Sequence, residues 1–108
     1  MSDQNAKHDE GKPMLSLVPT GIDYAIEKVR RYGCEKYPEG GKDNWRQVDI
    51  QRHWEAVLRH TTAARENLFK IDPESGLPHI YHAACDLAFV IEMMGNTAFT
   101  ITEDGKIV

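Results

Sequence analysis

The chain has 108 residues, with 13 Lys and Arg against 17 Asp and Glu, for a net charge of −4 with histidine neutral. That length makes one domain, residues 1–108, whose core is modest enough that oligomerisation is expected to complete it. The acidic balance, with no Lys/Arg run longer than Arg30-Arg31, argues against a nonspecific nucleic-acid surface, and no apolar run is long enough to span a membrane.

The N-terminus, "MSDQNAKHDEGK", is too polar for a signal peptide, and residues 1 to about 13 read as a flexible lead-in. "MLSLVP" then brings apolar residues expected to dock on the core. A first helix is predicted from Thr20 to Gly33, with Thr20 as N-cap, Asp23 completing a near capping box, and Gly33 as the stop. Residues 34–48, "CEKYPEGGKDNWRQV", are rich in turn formers and read as a loop. Lys36, Tyr37, Lys42, Asn44 and Trp45 make it chemically dense for a connector.

A second helix is predicted from Asp49 to Asn67, with Trp54, Val57, Leu58, Thr61, Ala64 and Leu68 on one side. "KIDPESGLP" connects it to a third helix that begins between Ser75 and Pro78 and ends at Gly95-Asn96. The tail 95–108 has β-like character around Asp104-Gly105, suggesting a small hairpin or a strand for a partner chain. The fold class is therefore all-α: a bundle of three main helices completed by oligomerisation, with a short β-like C-terminal tail. Cys34 and Cys85 fit no ligand spacing and suit a reducing, cytoplasmic setting; Cys85 reads as a small core residue.

Three constellations carry chemistry. His79, His82 and Asp86 stand at offsets 0, 3 and 7, within a helical stripe about 60° wide that borders the apolar face of the third helix. Imidazoles and a carboxylate on one stripe can meet a divalent metal, or can simply satisfy neighbours at a core edge. On the second helix Glu55, Arg59, Thr62 and Glu66 share a stripe of about the same width. Its carboxylates suit Mg²⁺, which prefers oxygen ligands; its plain alternative is a solvated face with a Glu55–Arg59 pair. The set His53, His60, His79 and His82 raises a His-based transition-metal site, although no standard zinc spacing supports it, and no Gly-rich phosphate loop or nucleophile elbow is present.

Read in order, "KHDEGKPMLSLVP", "YGCEKY", "NW", "HWEAVLRH" and "RENLFKIDPESGLPHIYHAACDLAFVIEM" form a recognisable series. It resembles the phage-associated dATP/dGTP diphosphohydrolase family, the MazZ-like branch of the MazG-type all-α nucleoside triphosphate pyrophosphohydrolases. The resemblance covers roughly residues 7 to 94 and is most specific in "DPESGLPHIYHAA". It implies hydrolysis of purine deoxynucleoside triphosphates to monophosphate and pyrophosphate, with Mg²⁺ (or Mn²⁺) as cofactor. A three-helix chain with a shared cleft points to a homodimer or homotetramer, and the two cysteines suit the cytoplasm, the host's if the protein is phage-encoded.

MazG-type metal ligands are an E-x-x-E pair on one helix and an E-x-x-D pair on the next. This chain departs from that pattern: it offers Glu55 and Glu66 eleven residues apart, then Asp86, with His82 where a carboxylate is expected. On this reading Glu55, Glu66 and Asp86 hold the metal. A carboxylate or His82 is the general base, with His79 or His60 behind it. Lys36, Arg59 and Lys12 grip the triphosphate, while Tyr37 or Trp45 stacks on the purine and Asn44 reads its edge. The alternative from another class is a non-catalytic helical interaction module.

Overall fold

The computed structural model describes residues 10–95, and three α-helices carry most of them: α1 Gly21–Lys36, α2 Ile50–Glu66 and α3 His79–Met93. The expected C-terminal hairpin or tail and most of the lead-in lie outside the described residues. No helix among those described is long and apolar enough to cross a membrane.

Helix α1 runs three residues past its predicted stop. Gly33 has an ordinary helical backbone, and the helix ends instead at Tyr37, with φ −123° and ψ 66°. Tyr37 precedes Pro38, whose ring disfavours the α conformation in the residue before it, so proline and not glycine sets this boundary. The Thr20 side chain makes no capping hydrogen bond; the first turn closes through the backbone, Asp23 N–H donating to the Thr20 carbonyl at 3.0 Å. The 34–48 connector is not a plain loop. Gly41, in the left-handed region at φ 63°, opens a 3₁₀ helix over Gly41–Gln47. Helix α2 is capped by Asp49, whose carboxylate accepts from Gln51 N–H at 2.8 Å.

Between α2 and α3 the chain forms a minimal antiparallel hairpin, β1 Ile71–Asp72 and β2 Leu77–Pro78, with Ile71 opposite Pro78 and Asp72 opposite Leu77. Gly76, at φ 75°, supplies the left-handed residue the turn needs, and its N–H donates to the Asp72 carbonyl at 2.8 Å. His79 N–H donates to the Lys70 carbonyl at 2.9 Å, so the hairpin leads directly into the first residue of α3.

Helix α3 is the central element. It packs on both α1 and α2, which scarcely touch one another. The residues buried at these contacts are small: Ala25 and Val29 from α1, Val57 and Ala64 from α2, Ala83 and Cys85 from α3. Cys85, expected as a core residue, is 1% exposed. The expectation that "MLSLVP" docks on the core fails: Leu15 and Leu17 are 71% and 74% exposed on a short 3₁₀ turn, with no helix packed against them. Trp54 and Leu58, expected on the inner face of α2, are both 40% exposed, and Leu68 is 64% exposed.

Candidate active-site cleft

Because α3 holds α1 and α2 apart, the groove between them opens into a cleft of about 550 Å³. Its floor is the α3 row His82, Cys85, Asp86 and Phe89; α1 contributes Arg30, Tyr32 and Lys36, and α2 contributes Arg52, His53, Ala56, Arg59 and His60. The 3₁₀ segment closes one part with Asn44 and Trp45, and the hairpin closes another with Asp72 and Glu74. A volume of this size lies in the usual range for small-molecule sites, roughly 300–1,000 Å³.

Of the set His53, His60, His79 and His82, the last three assemble. His60 Nδ1 and His79 Nδ1 share a hydrogen bond of 2.9 Å, and the His60 ring stacks on His82 with centroids 4.7 Å apart and planes at 16°. The stripe on α3 therefore faces α2, as its spacing suggests. The fourth histidine stands elsewhere: His53 Nε2 bonds the Trp45 carbonyl at 2.9 Å, and its ring packs on Phe89. Burial beside the other two imidazoles pushes His60 down to about 4, and burial lowers His82 against the opposing pull of Asp72. At neutral pH these rings are uncharged acceptors, not cations.

Asp86 is the most exceptional group in the cleft. It makes no hydrogen bond or ion pair among the described residues, and burial raises its carboxyl to about 6, with Arg59 opposing the rise. The Arg52 and Arg59 side chains line the same cleft and likewise make no hydrogen bond or ion pair among the described residues. The other cations are committed. Lys36 is paired with Glu74, which holds the ammonium above its ordinary range, and Arg30 donates to the Lys42 carbonyl and lies over Phe89. Tyr32, half-buried between Lys36 and His82, is raised by burial first and by Glu74 second.

The expected metal triad is not brought together. Glu55 and Glu66 do not line the cleft; Glu66 is paired with Lys70 at 3.1 Å on a solvent-facing surface. They share a stripe with Arg59, which lines the cleft, but Glu55 and Glu66 are exposed and lie outside its lining. Glu74 and Asp72 already have partners, so Asp86 is the cleft carboxylate left without one among the described residues. No group of three His, Cys, Asp or Glu side chains there could hold a metal ion, so neither the carboxylate cage nor a three-histidine ion site fits the described donors.

Lys12 is exposed and outside the cleft lining. Trp45 lines the cleft, but its indole is stacked on Phe89, centroids 4.5 Å apart at 11°, with the Arg46 guanidinium 4.4 Å from the ring centroid. Tyr37 and Asn44 line it too, Tyr37 half exposed and Asn44 half-buried. Sequence reasoning missed Arg30, Tyr32, Arg52, Asp72, Glu74 and Ser75. Arg52 had a usable signal, since it precedes Arg59 by seven residues and so shares its helical face.

Comparison with known proteins agrees with the resemblance seen in the sequence. The family model described as "dATP/dGTP diphosphohydrolase, N-terminal" matches residues 2–102. The dATP/dGTP diphosphohydrolase of Salmonella phage PMBT28 is 36% identical over 90 residues, which is 83% of this chain and 30% of the phage protein. The chain therefore spans about 30% of the length of that relative. No solved structure matches.

Proposed function

The chain belongs to the dATP/dGTP diphosphohydrolase N-terminal family, and from that premise we propose that its cleft binds a purine deoxynucleoside triphosphate and hydrolyses it to the monophosphate and pyrophosphate. The observation that carries this reading is the unpartnered Asp86 carboxylate set in one cleft with two uncommitted arginines, Arg52 and Arg59. Guanidinium forks suit phosphate oxygens, and hydrogen bonds between ionised groups contribute about 1.5–3 kcal/mol each. Mg²⁺ enters as the counter-ion of the triphosphate, part of the substrate and not of a resident protein cage.

In the reaction a water attacks the α-phosphorus. The new O–P bond forms as the bond from that phosphorus to the bridging oxygen breaks, and pyrophosphate leaves with the electron pair. Asp86, its carboxyl raised to about 6, is ionised at neutral pH and basic enough to take the water's proton. Arg52 and Arg59 neutralise the charge gathering on the phosphates. His82 and His60, held neutral by burial, act as hydrogen-bond acceptors in the cleft, with His79 bonded behind His60. Tyr37 is the better platform for the purine, because the Trp45 face is already occupied; the Asn44 side chain, free of hydrogen bonds among the described residues, reads the base edge.

A homodimer or homotetramer belongs to the same proposal, supported by the exposed Trp54, Leu58, Ile80, Leu87 and Ile91 on α2 and α3. A reducing cytoplasm, the host's for a phage protein, suits the two unpaired cysteines. The test is product analysis of dGTP and dATP incubated with the full chain and Mg²⁺. Monophosphate plus pyrophosphate is the expected result; nucleoside plus tripolyphosphate, or no turnover of any deoxynucleotide, overturns the proposal.

A further inference from the structure

Ser75 sits in the turn of the hairpin, and its hydroxyl has three neighbours. Leu77 N–H donates to Oγ at 3.2 Å, Asp72 Oδ2 lies at 3.2 Å, and His82 Nε2 lies at 2.6 Å. A hydroxyl offers one proton and two lone pairs. Leu77 N–H can only donate, so it takes one lone pair. An ionised carboxylate can only accept, so Asp72 takes the single proton. One lone pair remains for His82, and a lone pair must be met by a donor: Nε2 carries the hydrogen. In a neutral imidazole Nδ1 is then bare.

We propose that Asp72 and Ser75 are positioning residues that hold His82 in the Nε2–H tautomer, so that its bare Nδ1 accepts a hydrogen bond in the cleft. The proposal deepens the hydrolase reading and rests on it for its catalytic consequence. Nδ1 makes no hydrogen bond among the described residues, and no buried side-chain nitrogen or oxygen there lacks a partner, so Nδ1 is reachable by solvent. The ring plane is fixed from two sides, by the stacked His60 and by the Tyr32 ring, edge-on at 6.2 Å. Burial keeps the imidazole neutral although Asp72 Oδ2 stands 3.4 Å from Nε2.

A bare sp² nitrogen in this position accepts one hydrogen of the attacking water while Asp86 takes the other as a proton. The hairpin, with its two-residue strands, thereby connects the turn chemistry to the reacting centre. The Asp72 carboxylate is itself oriented by the turn. Its Oδ1 accepts from Glu74 N–H at 3.1 Å, which turns Oδ2 toward Ser75.

The experiment is a long-range ¹H–¹⁵N correlation on the full chain labelled at histidine, at pH 7.5, with dGTP turnover measured in parallel. The wild type should show His82 protonated at Nε2 and bare at Nδ1. In Asp72→Asn the amide oxygen still takes Glu74 N–H, so the amide nitrogen faces Ser75 and donates to it. Ser75 must then donate to Nε2, and the tautomer switches to Nδ1–H. This variant should lose kcat about tenfold, the worth of one hydrogen bond to the attacking water, with KM within about twofold. Ser75→Thr keeps the hydroxyl and should keep both the tautomer and most of kcat.

Wild-type His82 protonated at Nδ1 or mixed overturns the proposal whatever the variants do. An Asp72→Asn variant that switches tautomer with kcat intact overturns the positioning role. Should the tautomers behave as expected while the wild type turns over no deoxynucleotide, the His82 assignment is upheld and the hydrolase reading falls alone.

Discussion

Replacing Asp86 with Asn should abolish turnover and make the protein more stable. A carboxyl that burial raises from an ordinary 3.8 to about 6 is ionised at neutral pH in surroundings that disfavour its charge. A rise of roughly two pH units, at about 1.4 kcal/mol each, corresponds to about 2–3 kcal/mol of instability at pH 7.5. The sign follows from proton binding. Between about pH 4 and pH 6 the native state holds the Asp86 proton more tightly than the unfolded chain, so stability falls as pH rises through that window. Asparagine is neutral throughout. The variant's advantage should therefore be near zero at pH 4 and complete by pH 7.5, where it amounts to about 10 °C or more in Tm for a domain of this size. Parallel urea titrations of wild type and Asp86→Asn at pH 4.5, 6 and 7.5 measure it directly. A variant no more stable than wild type at pH 7.5 would mean that Asp86 has a partner that satisfies its charge, and the uncompensated carboxylate would be ruled out.

Arg59→Ala and Arg52→Ala should each raise KM for dGTP by about 10–100-fold, the worth of one hydrogen bond between charged groups, and the effect should shrink at high salt. His60, lowered from 6.5 to about 4 but only half-buried, should cost about 1 kcal/mol of stability, after allowance for solvent screening, as pH falls through that window, since the unfolded state binds the proton more readily. His60→Gln should remove that part of the acid slope in parallel denaturation curves. A Cβ built on Gly40 would collide with the Asn44 amide, so Gly40→Ala should swing Asn44 aside and weaken purine preference in competition assays between dGTP and dCTP while leaving kcat for dGTP near wild type.

How much was legible in the sequence depends on whether a feature is local. The order of the three helices follows from apolar periodicity, and offsets alone place His79 and His82 on one stripe of α3. The same arithmetic puts Glu55 and Glu66 on one stripe of α2, but periodicity says which residues share a face, not what that face meets. The α2 face that reaches α3 is set by Val57 and Ala64, and the glutamates lie off it. "MLSLVP" misled for a related reason: apolar character predicts burial only where something is present to pack against. The Ser75–Asp72–His82 network was not legible at all. It depends on a hairpin with strands of two residues, and on counting one hydroxyl's lone pairs, neither of which leaves a periodic trace. The end of α1 at Tyr37 is legible from Pro38, a stronger constraint on its neighbour than the preference of Gly33 for helix ends.

The central claim is that the cleft between α1 and α2, floored by α3, holds the triphosphate against Arg52 and Arg59 with its α-phosphorus facing Asp86. A crystal structure with a non-hydrolysable α,β-imido dGTP and Mg²⁺ tests it most directly. Phosphate oxygens should lie on the two guanidinium groups, a water between the α-phosphorus and Asp86, and the purine at Tyr37 and Asn44. Phosphates seated beside the exposed Glu55 and Glu66, or a cleft empty of nucleotide at saturating concentration, would contradict that claim.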